Sequence, residues 1–235
     1  EQAVKSAYFR RKILSDLVEY WFSGKLKVAD AKSFGWNEQH KAYELSAEFI
    51  DGRHAALHNP FSRQGESELS DLVNDIMAPL QEKFIESGFD GLAWQAGKGN
   101  PVASNNFMIQ KTPADGICQV VIDLESGVPA LFPMNPLSFF SFYVPMSFKH
   151  RRALFDDVNI QQLVDYILKH ESRLEERLGS ERTKSLFENV LRLSTEQFQW
   201  KSVKRADRSI HYQLKKEKIT KEQADWYSNH HGVWY

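Results

Sequence analysis

The chain of 235 residues has a single cysteine, Cys118, so it can form no internal disulfide and no cysteine-based zinc or iron–sulfur site. A reducing, cytoplasmic setting fits that lone thiol. Glycine (12) and proline (8) together fall below their usual share of about 12%, which argues against long linkers and for a helix-rich protein. Excess charge of one sign is also missing. Lys and Arg number 30 against 31 Asp and Glu, a net charge of −1, so no global basic field attracts nucleic acid or anionic lipid, and nucleic acid is not an expected partner. No apolar run reaches the roughly 18 residues of a membrane span. Glu1-Gln2-Ala3-Val4-Lys5 does not read as a signal peptide. What the chain does have is 42% hydrophobic residues, with 16 Phe, 8 Tyr and 6 Trp, enough to fill a core and exclude wholesale disorder. The length suits one domain, or one with a large appendage.

Periodicity divides the chain. Residues 3–22 carry Ile13, Leu14, Leu17, Val18, Trp21 and Phe22 at helical spacing, with Gly24 as the stop. A short helix over about 28–34 follows. Residues 42–50 alternate as a half-buried strand ending at Asp51-Gly52. Residues 68–87 predict a helix with one apolar stripe, closed by Gly88 and bent at Pro79. Residues 91–95 read as a short strand. Segments 106–110 and 117–122 read as a β-hairpin turned at Pro113-Ala114-Asp115-Gly116. Residues 128–148 carry four prolines among many aromatics and predict an irregular packed segment. Helices are expected at about 158–169, 171–178, 181–199, 204–217 and 221–229, the last opened by a capping box at Thr220-Lys221-Glu222-Gln223.

The hairpin brings chemistry together. In an antiparallel pair the start of one strand faces the end of the other. Asn105 and Asn106 therefore meet Asp123 at one end, with a glycine-rich loop holding Lys98 just before them. Hard cations such as Mg²⁺ take one or two protein oxygens plus substrate phosphates, and a lysine supplies a point charge for a phosphate. A nucleotide–metal site fits these residues. The blander account is that Asn and Asp cap the hairpin and its turns.

Several of these segments, in order, resemble protein-kinase-like folds over about residues 41–131. Glu48-Phe49-Ile50-Asp51-Gly52 resembles a hinge strand, and helix 68–87 stands where the main C-lobe helix would. Lys98-Gly99-Asn100-Pro101 followed by Asn106-Phe107-Met108-Ile109 resembles the catalytic loop of atypical kinases, the ABC1/AarF and lipopolysaccharide-kinase groups. Val120-Val121-Ile122-Asp123 resembles the strand that ends in the metal-binding Asp. The resemblance implies an ATP- and Mg²⁺-dependent phosphotransferase. Asp123 would hold the metal, assisted by Asn106 or Asn105. Asn100 would occupy the acceptor-positioning place, Lys98 would contact the transferred phosphate, and backbone around Glu48 and Ile50 would meet the nucleotide. The acceptor, whether sugar, lipid or protein, is left open. Departures are plain. Asn100 stands where kinases use a carboxylate, one residue further from Asn106 than usual. No glycine-rich loop with a following strand lysine precedes residue 41, and Glu19 is only a guess for a lysine-pairing acid. Those upstream strands either lie outside this sequence or are reduced.

The resulting expectation is an α+β, helix-rich fold. A kinase-like C-lobe with a small β hairpin would occupy 41–157, after N-terminal helices over 1–40 and before a helical extension over 158–235. A catalytically inactive pseudokinase-type binding module is the first alternative. The second is a helical interaction or membrane-surface protein, for which the aromatics of 137–148 beside Lys149, His150, Arg151 and Arg152 are the candidate patch. Other signals fail on their own terms. Position 55, between His54 and His58, is Ala and not the Glu of a zinc-protease helix; Leu92 replaces the first glycine of a P-loop; no G-x-S-x-G elbow occurs. The basic run at 201–208 reads as a solvated helix face.

Overall fold

A computed structural model describes residues 1–55, 68–93, 95–97, 103–111, 116–124 and 158–230. Helix α1 (Gln2–Phe22) is its spine. Ile13, Leu14, Leu17 and Val18 are fully buried in the main core. Ser23 (φ 54°) and Gly24 (φ 80°) end α1 in the left-handed region, where an α-helix stops.

The chain then enters β structure. Residues 28–34, expected as helix, instead contribute to strands β1 (Leu26–Val28) and β2 (Ala31–Asn37). A window this short does not separate a helix from strands by period, and pairing with distant chain decides it. β2 forms an antiparallel hairpin with β3 (Ala42–Ala47). Asn37 Oδ1 accepts the backbone N–H groups of Gln39 and His40, and Lys41 takes φ 49°. β1 pairs in parallel with β5 (Ile117–Val121), which pairs antiparallel with β4 (Phe107–Lys111), giving the order β1-β5-β4. Arg53 extends that row. Its N–H donates to Ile109 O (3.0 Å), and Ile109 N–H donates back (2.6 Å).

The expected helix at 68–87 forms, but in two geometries. Leu72–Met77 is a π-helical turn, and α2 (Ala78–Ser87) follows. Pro79 explains the change. It has no N–H and its ring crowds the carbonyl of Asp75, so the turn before it widens and Ala78 N–H reaches back to Val73 O. The expected strand at 91–95 is instead a 3-10 turn, Asp90–Leu92. Leu92 is fully buried in the main core there.

The C-terminal region has fewer and longer helices than periodicity suggested. α3 (Ile160–Leu178) and α4 (Ser180–Lys215) each run through an expected break, and Gly179 (φ 87°) separates them. α4 packs along α1 and α3. Arg182 donates to Asp16 Oδ1 at 2.6 Å to tie α4 to α1. α5 (Lys221–Asn229) starts at the expected capping box. His230 stacks on Trp226, with centroids 4.3 Å apart. Among the described residues no helix is long and apolar enough to cross a membrane.

Candidate functional site at the end of the β4–β5 hairpin

Both faces of the hairpin are covered. Phe107, Ile109 and Val121 face the main core. Val120 faces a second, smaller cluster with Ala29 and Ile50, against which Met108 and Ile122 are half-buried. The register pairs Phe107 with Val121. Continued one step, it sets Asn106 opposite Ile122, and Ile122 N–H donates to Asn106 O at 2.9 Å. Asn105 lies just before Asn106 in a 3-10 turn (Ala103–Asn106), outside the strand ladder. The hairpin end thus brings Asn106 against Ile122, the residue before Asp123.

Two residues that sequence reasoning passed over hold this end in place. Asn106 Nδ2 donates to the backbone carbonyl of Gln95 at 3.2 Å and to its side-chain Oε1 at 2.5 Å. A backbone carbonyl only accepts, so the amino group of Asn106 points at Gln95 and its Oδ1 is the atom turned elsewhere. Gln95 itself is buried. From the other side comes Arg11 of α1, also buried. Its Nη2 donates to Ile122 O at 2.8 Å and its Nη1 to Ala29 O at 3.0 Å. One guanidinium therefore clasps the ends of both β1 and β5. A third neighbour is His54, whose Nδ1 lies 3.0 Å from Phe107 O. Since that carbonyl only accepts, Nδ1 carries the proton. The zinc-protease reading of His54 had failed, but the residue lies beside the hairpin all the same.

The remaining sequence candidates divide. Ile50 reaches the site's apolar flank, packed with Val120 and Ala29. Glu48 does not meet it through a spare backbone donor: its N–H donates to Asp30 O at 2.8 Å, and its Oε2 accepts from Asp30 N–H. Asp30 in turn pairs with Lys12 at 2.8 Å. The α1 residue that bonds this end of the sheet is Arg11, two turns before Glu19. Cys118 is fully buried, and burial pushes its thiol pKa up, which gives no nucleophile. Lys98 and Asn100 lie outside the described residues, as do the aromatic segment 128–148 and the basic residues 149–152.

Could these groups hold Mg²⁺? Asp123 and the Oδ1 of Asn106 are hard oxygen donors at the end of the hairpin, where Ile122 N–H meets Asn106 O. Among the described residues no three His, Cys, Asp or Glu side chains cluster to form a protein cage. The residues therefore fit a shared site, with one or two protein oxygens and the rest from a phosphate and water. Set beside family models, curated proteins and solved structures, the chain matches none of them.

Proposed function

We propose that this protein binds a Mg²⁺–nucleoside triphosphate, ATP in the first instance, at the Asn106–Asp123 end of the hairpin, as a phosphotransferase-like protein of kinase-like fold. The observation that carries the reading is the orientation of Asn106. Its amino group is spent on Gln95, so its Oδ1 is the atom not turned to Gln95, and its backbone carbonyl accepts the N–H of Ile122, the residue before Asp123. Asp123 would hold the metal, Asn106 would assist, and Lys98 would neutralise phosphate charge. The acceptor hydroxyl could belong to a sugar, a lipid or a protein.

A second reading, the inactive binding module, has its own support. From Gly91 to Ala114 the chain contains no Asp, Glu or His. The connection into β4 therefore has no group able to take a proton from an acceptor hydroxyl, and Asn100 is an amide. Binding and turnover separate the two readings.

Thermal unfolding with ATP, with and without Mg²⁺, tests the shared part. A ligand at 100 times its Kd adds about 2.7 kcal/mol. At about 2–4 °C per kcal/mol for a chain this size, the midpoint should rise by about 5–10 °C. The rise should need Mg²⁺ and should vanish in Asp123→Asn. No rise at millimolar ATP would end the nucleotide reading. A rise without phosphate release would favour the binding module.

A further inference from the structure

We infer that Arg11 of α1 is the positioning residue for Asp123, so that the seating of α1 and occupancy of the metal–nucleotide site are coupled; this rests on the function proposed above. Val121, the last residue of β5, gives its carbonyl to Ala29 N–H at 3.0 Å. Ile122 gives its N–H to Asn106 O. The next acceptor in line is Ile122 O, and it lies beyond the ladder with both neighbouring strands. Arg11 Nη2 takes it. That carbonyl belongs to the same peptide plane as Asp123 N, so the bond sets the direction in which the chain leaves β5 and presents Asp123.

The chemistry requires arginine. The two acceptors, Ile122 O and Ala29 O, sit on adjacent strands, and a planar fork with several fixed donors meets both at once. An ammonium at the same place is a point donor. The anchor is also stiff. Asp16 ties α1 to Arg182 of α4 one turn later, and Lys12 ties it to Asp30 beside Ala29. A shift of α1 must therefore move Ile122 O or break its bond to Arg11, and a ligand that fixes Asp123 must resist that shift. Such coupling is reciprocal.

The test uses the full chain and Mg²⁺–ATP. Arg11→Lys is compared with Lys12→Met, which breaks the neighbouring α1 contact without touching Ile122. In variants that unfold cooperatively, Arg11→Lys should raise the Mg²⁺ concentration for half-maximal nucleotide-induced stabilisation about 10–100-fold, the usual cost of losing a residue that orients a metal ligand. Lys12→Met should leave it unchanged. A folded Arg11→Lys protein with wild-type Mg²⁺ dependence would make Arg11 purely structural and overturn the inference, while loss of binding in Asp123→Asn would still uphold the site. If wild type shows no Mg²⁺-dependent shift, the site and the inference fall together. Hydrogen exchange on wild type decides the matter even if Arg11→Lys does not fold. Mg²⁺–ATP should slow exchange in α1 around Arg11 as well as at Ile122 and Asp123. Slowing at the hairpin alone would refute the coupling.

Discussion

At two glycines the chain runs close against backbone atoms, and that makes small substitutions there informative. Gly52 lies against β4, where a Cβ would stand 2.7 Å from Ile109 O, closer than any relaxed contact. Gly88 combines φ 87° with a Cβ position 2.7 Å from Asn159 O. Gly88→Ala should therefore cost about 1–3 kcal/mol, read as a lower denaturant midpoint at constant m-value. Gly24, with φ 80° and open space around it, should cost less on the same change. Cys118 gives a complementary expectation. Fully buried, with its thiolate disfavoured by desolvation, it should resist a thiol reagent in the native state and react on unfolding. Rapid labelling of the folded protein would contradict its burial in β5.

At the scale of elements, caps and prolines decide where helices begin and change geometry. The Thr220 hydroxyl accepts Gln223 N–H while Gln223 Oε1 accepts Thr220 N–H. Thr220→Ala should loosen α5 by about 1 kcal/mol, visible as faster amide exchange across Lys221–Asn229 and not elsewhere. Pro79 sets the π-turn before α2. Pro79→Ala restores an N–H, which should let Leu72–Met77 relax toward α geometry, with a change in amide exchange at Asp75 through Pro79's successor Leu80. The two long C-terminal helices show a limit of periodicity. Expected breaks near residue 170 and residues 200–203 are absent because α3 and α4 have packing partners through both regions: His170 meets Tyr20 and Tyr166, and Ala206 and Ile210 are buried.

The whole molecule turns on α1, which touches β1, the β2–β3 hairpin, α3 and α4. Its C-terminal contact to α3 is titratable. Tyr20 OH lies 3.3 Å from His170 Nδ1, Trp21 Nε1 donates to Tyr166 OH at 2.9 Å, and the His170 Nε2 atom is buried with no partner among the described residues. Burial holds the His170 pKa below its ordinary 6.5, opposed by Glu86 of α2 and reinforced by Lys169, Lys83 and Arg173. Burial also pushes the Tyr166 hydroxyl up to about 12, so it stays protonated. A base whose folded pKa is lowered binds fewer protons folded than unfolded. Its contribution is intact above about pH 6.5 and is lost as pH falls from there toward the folded value. The melting midpoint should drop between pH 7.5 and 5.5, and His170→Gln should flatten that drop. An unchanged slope in the variant would assign the pH dependence to other groups.

Much of this was readable in the residues, and the division has physical causes. The sequence by itself determined the α1 helix, the hairpin, the helix through 68–87 and the α5 cap, because each carries a local signal: an apolar stripe, a turn-forming cluster, a capping box. It also led to the expectation that Asn106 and the end of β5 lie side by side, since antiparallel register needs only the two strands and their turn. Arg11 was legible in hindsight. It sits on the same buried stripe of α1 as Ala7, Leu14 and Val18, and a charge on such a stripe must have a partner. Only the tertiary structure decided the rest. Parallel pairing of β1 with β5 joins residues more than 90 positions apart and turned 28–34 from helix to strand. Gln95 met Asn106 and His54 met Phe107 O because the sheet brought distant loops to one end. Local pattern records what a residue prefers of its neighbours in sequence, whereas partners across a sheet are chosen by which surfaces are left to cover.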